Sequence, residues 1–305
     1  VYVLTSVYEW MPHEFGGGGF WTQKEQDNFT WFVKKMRSHL EEKGVSVKNF
    51  AWYPKDEPCS GEDARYVANF GKLLQAADPE QQIFTTVFNG VKISALEIMA
   101  PYVNLWVPSM WLNDQQIQLI KKQKARFFSY SVLGRDSNPY WSYRLDAWRA
   151  LDRGYEGIGF WDYNDCGGSV GASVWDDNDG DKSDYSIIYE GSDKPVSSVR
   201  WESWRQGIQD YRLIKWYASL TGTAVDNKST LAGETVNSVL TSNDTQTADK
   251  CFDKVRGEVI KKLISNGTIS ASSASSSNNL ICLTGNGGDN VENIDTGGTY
   301  TYTRF

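Results

Sequence analysis

Hydrophobic residues follow two alternating spacings along the first 220 residues, and this alternation predicts strands separated by helices. Short apolar runs of strand length are bounded by turn residues, whereas the segments between them repeat hydrophobic residues every three or four positions. The predicted strands cover residues 1–7, 47–53, 83–88, 103–107, 127–132 and 156–163. The predicted helices cover residues 22–44, 60–77, 93–99, 114–123, 141–153 and 199–220.

The regular β-α-β order predicts a parallel sheet, which can be an open doubly wound sheet or a (β/α)8 barrel. The glycine run at residues 16–19 lies well past the first strand and lacks the spacing of a dinucleotide-binding turn. Polar and aromatic residues follow nearly every strand instead, and in a barrel they converge on one rim. We therefore predict an α/β fold of the TIM-type (β/α)8 barrel, lacking its first strands.

The pattern changes beyond residue 220. We predict a (β/α) barrel domain of catalytic type over residues 1–220, then a helical extension over 221–269. Residues 270–279 are a Ser-rich linker, and residues 280–305 form a short β-type tail. The tail is too short to bury its own core, so its strands are expected to pair with another domain or subunit.

Composition and charge narrow the set of partners. The hydrophobic share of 40% and the charged share of 23% are those of a soluble globular protein. The net charge is −7 and the chain has no basic stripe, which argues against nucleic acid. No run approaches about 18 apolar residues, so no membrane span is predicted. The 13 Trp and 16 Tyr suit sugar stacking, but they also suit an aromatic core.

Cysteines and sequons favour an oxidising compartment. Four cysteines occur without Cys-x-x-Cys spacing, and an even count suggests disulfides. Cys59 and Cys166 both follow predicted strand ends at the same rim, so we predict a disulfide between them. Cys251 would then form a disulfide with Cys282. Asn-x-Ser/Thr sequons begin at Asn28, Asn227, Asn243 and Asn266. We expect a secreted glycoprotein, extracellular or at the cell surface.

The most informative chemistry lies at Asp56 and Glu57, where an apolar strand stops before Pro58. Adjacent carboxylates repel each other, so the pKa of one tends to rise. One protonated acid beside one ionised acid is what cleavage of a glycosidic bond requires. The alternative is a solvated turn, where Asp, Glu and Pro are also common.

Three motifs in order make the chain resemble glycoside hydrolase family 123. Tyr53-x-x-Asp-Glu-Pro58 resembles the catalytic strand of that family, and Asp184–Gly191 resembles the stretch after its last barrel strand. Val199–Leu213 resembles its final barrel helix, and Gly157–Asn164 lies where the family carries an aromatic, Asn-bearing strand. The resemblance extends from about residue 1 to about residue 220, without the β-sandwich that usually precedes the family's barrel.

The resemblance implies hydrolysis of a β-linked 2-acetamido sugar, chiefly a β-N-acetylgalactosaminide, with retention and with help from the substrate's own acetamido group. Glu57 then protonates the leaving oxygen, and Asp56 orients and stabilises the acetamido group. Adjacent strand residues point to opposite faces, so both acids serve one site only where the chain turns, and Pro58 supports such a turn.

Aromatic and amide side chains near the predicted strand ends are candidate sugar ligands. Tryptophans would stack on the sugar, tyrosines would donate hydrogen bonds to the acetamido carbonyl, and asparagine would bind hydroxyl groups. Core packing is the alternative for each aromatic residue. The candidates are Trp106, Trp111, Tyr130, Trp161, Tyr163 and Asn164.

No metal or cofactor is predicted. His13 and His39 are the only histidines, and the acidic loop Asp176–Asp181 has Trp175 where a calcium loop needs an acid. Two functions remain: a secreted retaining β-N-acetylhexosaminidase, and a non-catalytic extracellular glycan-binding or matrix protein built on a glycosidase-like barrel. The acid pair favours the enzyme.

Overall fold

The computed structural model describes residues 2–4, 22–123, 125–134, 138–161, 163, 174–175, 185–223, 248–265, 269–271 and 283–285. The chain divides into two compact units. The first unit comprises Val1–Leu133 with Tyr155–Tyr163, and the second comprises Gly134–Gly154 with Asn164–Phe305. The predicted boundaries at residues 220, 269 and 279 stay predictions.

Strands and helices alternate through the first unit, as the hydrophobic spacing predicts. Its strands are β1 (Tyr2–Leu4), β2 (Phe50–Trp52), β3 (Phe84–Val87), β4 (Leu105–Pro108), β5 (Arg126–Phe127), β6 (Ser129–Val132) and β7 (Ile158–Trp161). Its helices are α1 (Gln23–Glu42), α2 (Gly61–Ala77), α3 (Ile93–Met99) and α4 (Asp114–Lys121). Two details differ from the prediction. Val47–Asn49 form a 3-10 turn before β2, and the strand predicted over residues 127–132 is divided into β5 and β6.

The strands of the first unit pair in parallel and in chain order. β1 pairs with β2, β3 with β4, β4 with β5, and β6 with β7. Isolated parallel bridges from Trp52 to Ile83 and from Ser109 to Tyr130 join β2 to β3 and β4 to β6. The parallel order predicted from the β-α-β pattern is confirmed, and closure into a (β/α)8 barrel stays a prediction.

Local side-chain bonds determine where the first helices begin. The Thr22 hydroxyl accepts the N–H of Glu25, and the Glu25 carboxylate accepts the N–H of Thr22, so the two residues form a capping box at the start of α1. Ser60 accepts the N–H of Asp63 at 3.0 Å at the start of α2. These bonds satisfy amide groups that a helix leaves open at its first turn.

Trp52 anchors the end of β2 in an aromatic core. The side chain is fully buried. Its ring centroid lies 6.0–6.2 Å from those of Phe29, Phe32 and Phe70. The indole N–H donates to Gln81 Oε1 at 2.7 Å, so the polar atom of this buried ring is satisfied. The segment that carries the acid pair therefore starts from a fixed point.

The described part of the second unit consists mainly of helices. A π-helical turn at Pro139–Arg144 stands where the helix predicted from residue 141 begins. The numbered elements are α5 (Leu145–Arg153), α6 (Val199–Thr221), α7 (Ala248–Ser265), β8 (Ile188–Tyr189), β9 (Val196–Ser197), β10 (Ile269–Ala271) and β11 (Leu283–Gly285). β8 pairs with β9 and β10 with β11, both antiparallel. No helix in the described ranges has the length and apolarity needed to cross a membrane.

A buried ion cluster joins the helices of the second unit. Asp210 on α6 accepts Arg144 Nε at 2.7 Å, Trp148 Nε1 at 3.2 Å and Arg256 Nη1 at 3.2 Å. Arg144 also contacts Asp253 on α7 at 2.9 Å. The Arg144 side chain is 1% exposed and the Asp210 side chain is 0% exposed. The opposite charges therefore offset part of the cost of removing each other from water.

Candidate active site

The two adjacent acids lie on a tight turn immediately after β2. The backbone bends at residues 55–57, and Glu57 has a φ of 41°, in the left-handed region that residues with a Cβ seldom adopt. The N–H of Cys59 donates to the Glu57 carbonyl at 2.7 Å. The turn expected near Pro58 is confirmed, and it interrupts the alternation that would direct Asp56 and Glu57 to opposite faces.

Glu57 is partly buried and hydrogen-bonded across the sheet. The Tyr130 hydroxyl, from β6, donates to Glu57 Oε1. Burial raises the pKa of the Glu57 carboxyl, and the negative charge of Asp56 raises it further. Oε2 has no hydrogen-bond partner among the described residues. A raised pKa favours the protonated carboxyl that a general acid needs, and Oε2 is the carboxyl oxygen that the described residues leave without a hydrogen bond.

Asp56 is exposed, but its oxygen Oδ1 is hydrogen-bonded to hydroxyl groups. Tyr53 donates its hydroxyl proton to Asp56 Oδ1, and the Thr86 hydroxyl lies 3.2 Å from the same oxygen. The hydroxyls of Tyr53 and Thr86 also bond to each other. Burial, and then the hydrogen bond to Asp56, raise the pKa of Tyr53, which keeps this phenol a donor. Oδ2 of Asp56 has no partner within the described parts of the chain.

Three of the predicted aromatic ligands are accessible near the carboxyl ends of strands. Trp111 follows β4 and is 50% exposed, Trp161 ends β7 and is 57% exposed, and Tyr163 is 44% exposed. Trp161 pairs in register with Val132, two residues beyond Tyr130, so it shares the sheet face of Tyr130. Parallel register therefore places Trp161 on the same side as the residue that contacts Glu57.

Comparison with protein families identifies the domain. The sequence profile described as glycoside hydrolase 123, catalytic domain, matches residues 21–217. The chain belongs to this family. The match contains the acid pair and runs from just before α1 to near the end of α6. Comparison with curated proteins gives no significant match. The predicted resemblance is confirmed, and the chain carries a glycoside hydrolase domain.

Two candidate ligands of the family 123 domain differ from the sequence prediction. Trp106 is fully buried on β4, so it is a core residue and presents no ring face for stacking on a sugar. Tyr130, expected to donate to an acetamido carbonyl, donates to Glu57 in the structure. Asn164 lies outside the described residues, and the roles of Trp111, Trp161 and Tyr163 in binding stay predictions.

The predicted disulfide from Cys59 is absent, because this residue carries a free thiol. The side chain is partly buried against the backbone of Phe88, and burial raises the pKa of the thiol to about 11. Its expected partner Cys166, together with Cys282, lies outside the described residues, and Cys251 lies on α7 in a part whose side chain is not described.

The sequons and the metal prediction are only partly within the described chain. Asn28 is exposed on α1, whereas Asn227, Asn243 and Asn266 lie outside the described residues, so glycosylation and secretion stay predictions. His39 is exposed on α1. His13 and the loop Asp176–Asp181 also lie outside. Within the described ranges, no three His, Cys, Asp or Glu side chains form a group able to hold a metal ion.

Two residues of the site were not assigned a role from the sequence. Tyr53 belongs to the Tyr-x-x-Asp-Glu-Pro motif, and its spacing from Asp56 was the available signal. Thr86 lies on β3, about thirty residues away in sequence, and its hydroxyl also accepts the N–H of Glu57 at 3.2 Å. Only the pairing of β2 with β3 brings it to the acids, so no local pattern could reveal it.

Proposed function

We propose that this family 123 domain hydrolyses β-linked 2-acetamido sugars, in particular β-N-acetylgalactosaminides, with retention of configuration by substrate-assisted catalysis. The observation that supports the proposal is the unequal surroundings of two adjacent carboxylates. Glu57 is partly buried with a raised pKa, while Asp56 is exposed and held through one oxygen by hydroxyl donors. Unequal environments of this kind separate a proton donor from an ionised partner.

In the first step Glu57 acts as general acid from Oε2, the oxygen without a protein partner in the described chain. The proton passes to the glycosidic oxygen as its bond to the anomeric carbon breaks. The acetamido carbonyl oxygen attacks that carbon from the opposite face, which forms a cyclic oxazolinium and releases the alcohol. Asp56 Oδ2 accepts the acetamido N–H, and its negative charge stabilises the positive ring.

In the second step Glu57 acts as general base. Its carboxylate removes a proton from water while the water oxygen attacks the anomeric carbon and opens the oxazolinium. The acetamido group is regenerated, and two successive inversions give net retention. The same residue therefore donates and then recovers one proton, which requires a pKa near the working pH. The raised pKa of Glu57 is consistent with this exchange.

The exposed aromatic side chains complete the proposed sugar site. Trp161 would form a stacking surface on the face that it shares with Tyr130, and Trp111 would contact the sugar from the end of β4. Tyr163 would donate to the acetamido carbonyl. A (β/α)8-type barrel and a secreted or cell-surface location belong to the same proposal, because they suit an enzyme of extracellular glycans.

Matched substrates that differ only at C2 test the proposal. We expect hydrolysis of aryl β-N-acetylgalactosaminide and negligible hydrolysis of the corresponding β-galactoside, together with competitive inhibition by a thiazoline mimic of the oxazoline. Asp56→Asn should lower kcat/KM by about 10- to 100-fold, since it removes a charged hydrogen-bond acceptor. Equal rates on the two sugars would contradict substrate assistance. Binding of glycans without any turnover would instead support a non-catalytic role.

A further inference from the structure

One face of β3 contacts Tyr53 and both acids of the turn. Phe84 and Thr86 are two residues apart on this strand, so their side chains project from the same face. The Phe84 ring packs edge-on against Tyr53, with 4.8 Å between ring centroids. The Thr86 hydroxyl contacts Tyr53, Asp56 and the backbone of Glu57. A single strand therefore supports the chain from Tyr53 to Glu57.

We propose that Thr86 is a positioning residue that sets the geometry of both acids without contacting the sugar. The role rests on the proposed function, because it concerns the same two carboxylates. It is distinct from that function, because it assigns the alignment of the acids to a residue on a neighbouring strand. The hydroxyl of Thr86 is already engaged by three groups of the turn, which leaves it no part in binding substrate.

The first contribution of Thr86 concerns the backbone of Glu57. A φ of 41° is unfavourable for a residue with a Cβ, so surrounding contacts must hold it. Thr86 Oγ1 accepts the N–H of Glu57 at 3.2 Å, and the Glu57 carbonyl accepts the N–H of Cys59 at 2.7 Å. These two bonds fix the peptide groups on either side of Glu57. Without the first bond, the left-handed conformation loses one of its two restraints.

The second contribution concerns the carboxylate of Asp56. Thr86 and Tyr53 have one hydroxyl proton each, and both hydroxyls lie beside Asp56 Oδ1. Tyr53 can donate directly to Oδ1 while Thr86 donates to Tyr53, or Thr86 can donate to Oδ1 while it accepts from Tyr53. In either arrangement a proton is directed at Oδ1. Oδ1 therefore has a fixed hydrogen-bond donor, while Oδ2, which has no partner among the described residues, is the oxygen assigned to the acetamido N–H.

Isosteric substitutions separate the hydroxyl from the shape of the side chain. Thr86→Val removes the hydroxyl and keeps the branched shape, Thr86→Ser keeps the hydroxyl, and Thr86→Ala serves if valine prevents folding. Thr85→Val is the matched control. Thr85 is the buried neighbour on the other face of β3, and among the described residues its hydroxyl bonds to the carbonyl of Thr86 alone, at 3.3 Å.

Kinetics of these variants should distinguish positioning from general stability. We expect Thr86→Val to lower kcat by about 10- to 100-fold, with KM within about threefold, because misplaced catalytic groups act mainly on the transition state. Thr86→Ser should recover kcat to within about threefold of wild type. Thr85→Val should leave kcat and KM unchanged. A Thr86→Val enzyme with wild-type kcat would overturn the proposal, as would a Thr86→Ser enzyme no better than Thr86→Val.

Crystal structures of the same variants provide a readout that does not depend on turnover. In Thr86→Val we expect Glu57 to leave the positive-φ region and the Asp56 carboxylate, which loses its contact with Thr86, to change its orientation, whereas Thr86→Ser should retain the wild-type geometry. Wild-type geometry at both acids in Thr86→Val would overturn the positioning role. If the wild-type protein hydrolyses no 2-acetamido glycoside, the proposed function fails, and the geometry of the variants still decides the role of Thr86.

Discussion

Tyr130→Phe gives a prediction whose sign follows from a single hydrogen bond. The substitution keeps the ring and removes the hydroxyl that donates to Glu57 Oε1. A donor to this oxygen stabilises the ionised carboxylate more than the protonated acid. Its removal should therefore raise the pKa of Glu57 beyond the increase already caused by burial and by the charge of Asp56.

The magnitude of the rate effect follows from the partial burial of Glu57. A hydrogen bond to a charged group contributes about 1.5–3 kcal/mol. Because Glu57 is only partly buried, water can replace part of the lost bond, and we take the lower value of about 1.5 kcal/mol. Since about 1.4 kcal/mol corresponds to a factor of ten, kcat/KM on the acid side of the profile should fall about tenfold.

The assay is the pH dependence of kcat/KM for an aryl β-N-acetylgalactosaminide. Activity needs protonated Glu57, so kcat/KM is high at pH values below the pKa of Glu57 and is lost as the pH rises through this pKa. Tyr130→Phe should shift that basic limb to higher pH, so that the deficit relative to wild type shrinks as pH increases. Asp56→Asn removes a negative neighbour and should shift the limb to lower pH.

Tyr102→Phe is the control for Tyr130→Phe, because Tyr102 lies just after α3 and bonds to neither acid. It should reproduce the wild-type profile. A basic limb that stays fixed in Tyr130→Phe, or that moves to lower pH, would refute the assignment of this limb to Glu57. A limb that moves the same way in Tyr130→Phe and Asp56→Asn would refute the electrostatic argument.

Three further substitutions test binding and packing. Trp161→Ala should raise KM about tenfold, because the lost burial of about 60 Å² of ring at about 25 cal/mol/Å² corresponds to about 1.5 kcal/mol. Trp31 is similarly exposed, and Trp31→Ala should leave KM unchanged. Equal effects of the two substitutions would contradict a stacking role for Trp161. Asp210→Asn should lower the free energy of unfolding by about 3 kcal/mol, because it removes the buried negative charge that accepts Arg144 Nε at 2.7 Å. A calorimetric Tm within 2 °C of wild type would count against this, since about 5 °C is expected for a chain of 305 residues. Gly157→Ala should cost about 1–3 kcal/mol, because its Cβ would lie 2.7 Å from a phenylalanine ring, and an unchanged Tm would contradict that packing.

Local sequence signals were sufficient for the order of the elements and for the starts of α1 and α2. The Thr22 and Glu25 capping box acts within one turn of chain, and Ser60 likewise caps α2 through a residue three positions away. Parallel pairing followed from the same local information, since strands joined through helices run in one direction. The acid pair at Asp56 and Glu57 was identified because its residue types directly carry the chemistry.

Features that depend on strand register could not be predicted. Trp106 pairs with Thr85, so it lies on the opposite face from Thr86 and is buried, although its position near a strand end suggested a sugar ligand. The left-handed backbone of Glu57 is unfavourable for its residue type, so propensity argued against it. The contact between Tyr130 and Glu57 spans 73 residues and needs the folded sheet.

The most direct test of Glu57 as proton donor varies the leaving group. Wild type, Glu57→Gln and the exposed control Glu97→Gln are compared on β-N-acetylgalactosaminides whose leaving groups range from dinitrophenol to an alkyl alcohol. Dinitrophenolate departs without protonation, so in Glu57→Gln kcat/KM, which reports the first step, should fall little on this substrate and about 10²- to 10⁴-fold on the alkyl glycoside, while Glu97→Gln matches wild type. A uniform loss across all leaving groups, or no loss on the alkyl glycoside, would contradict the assignment of Glu57 as the acid.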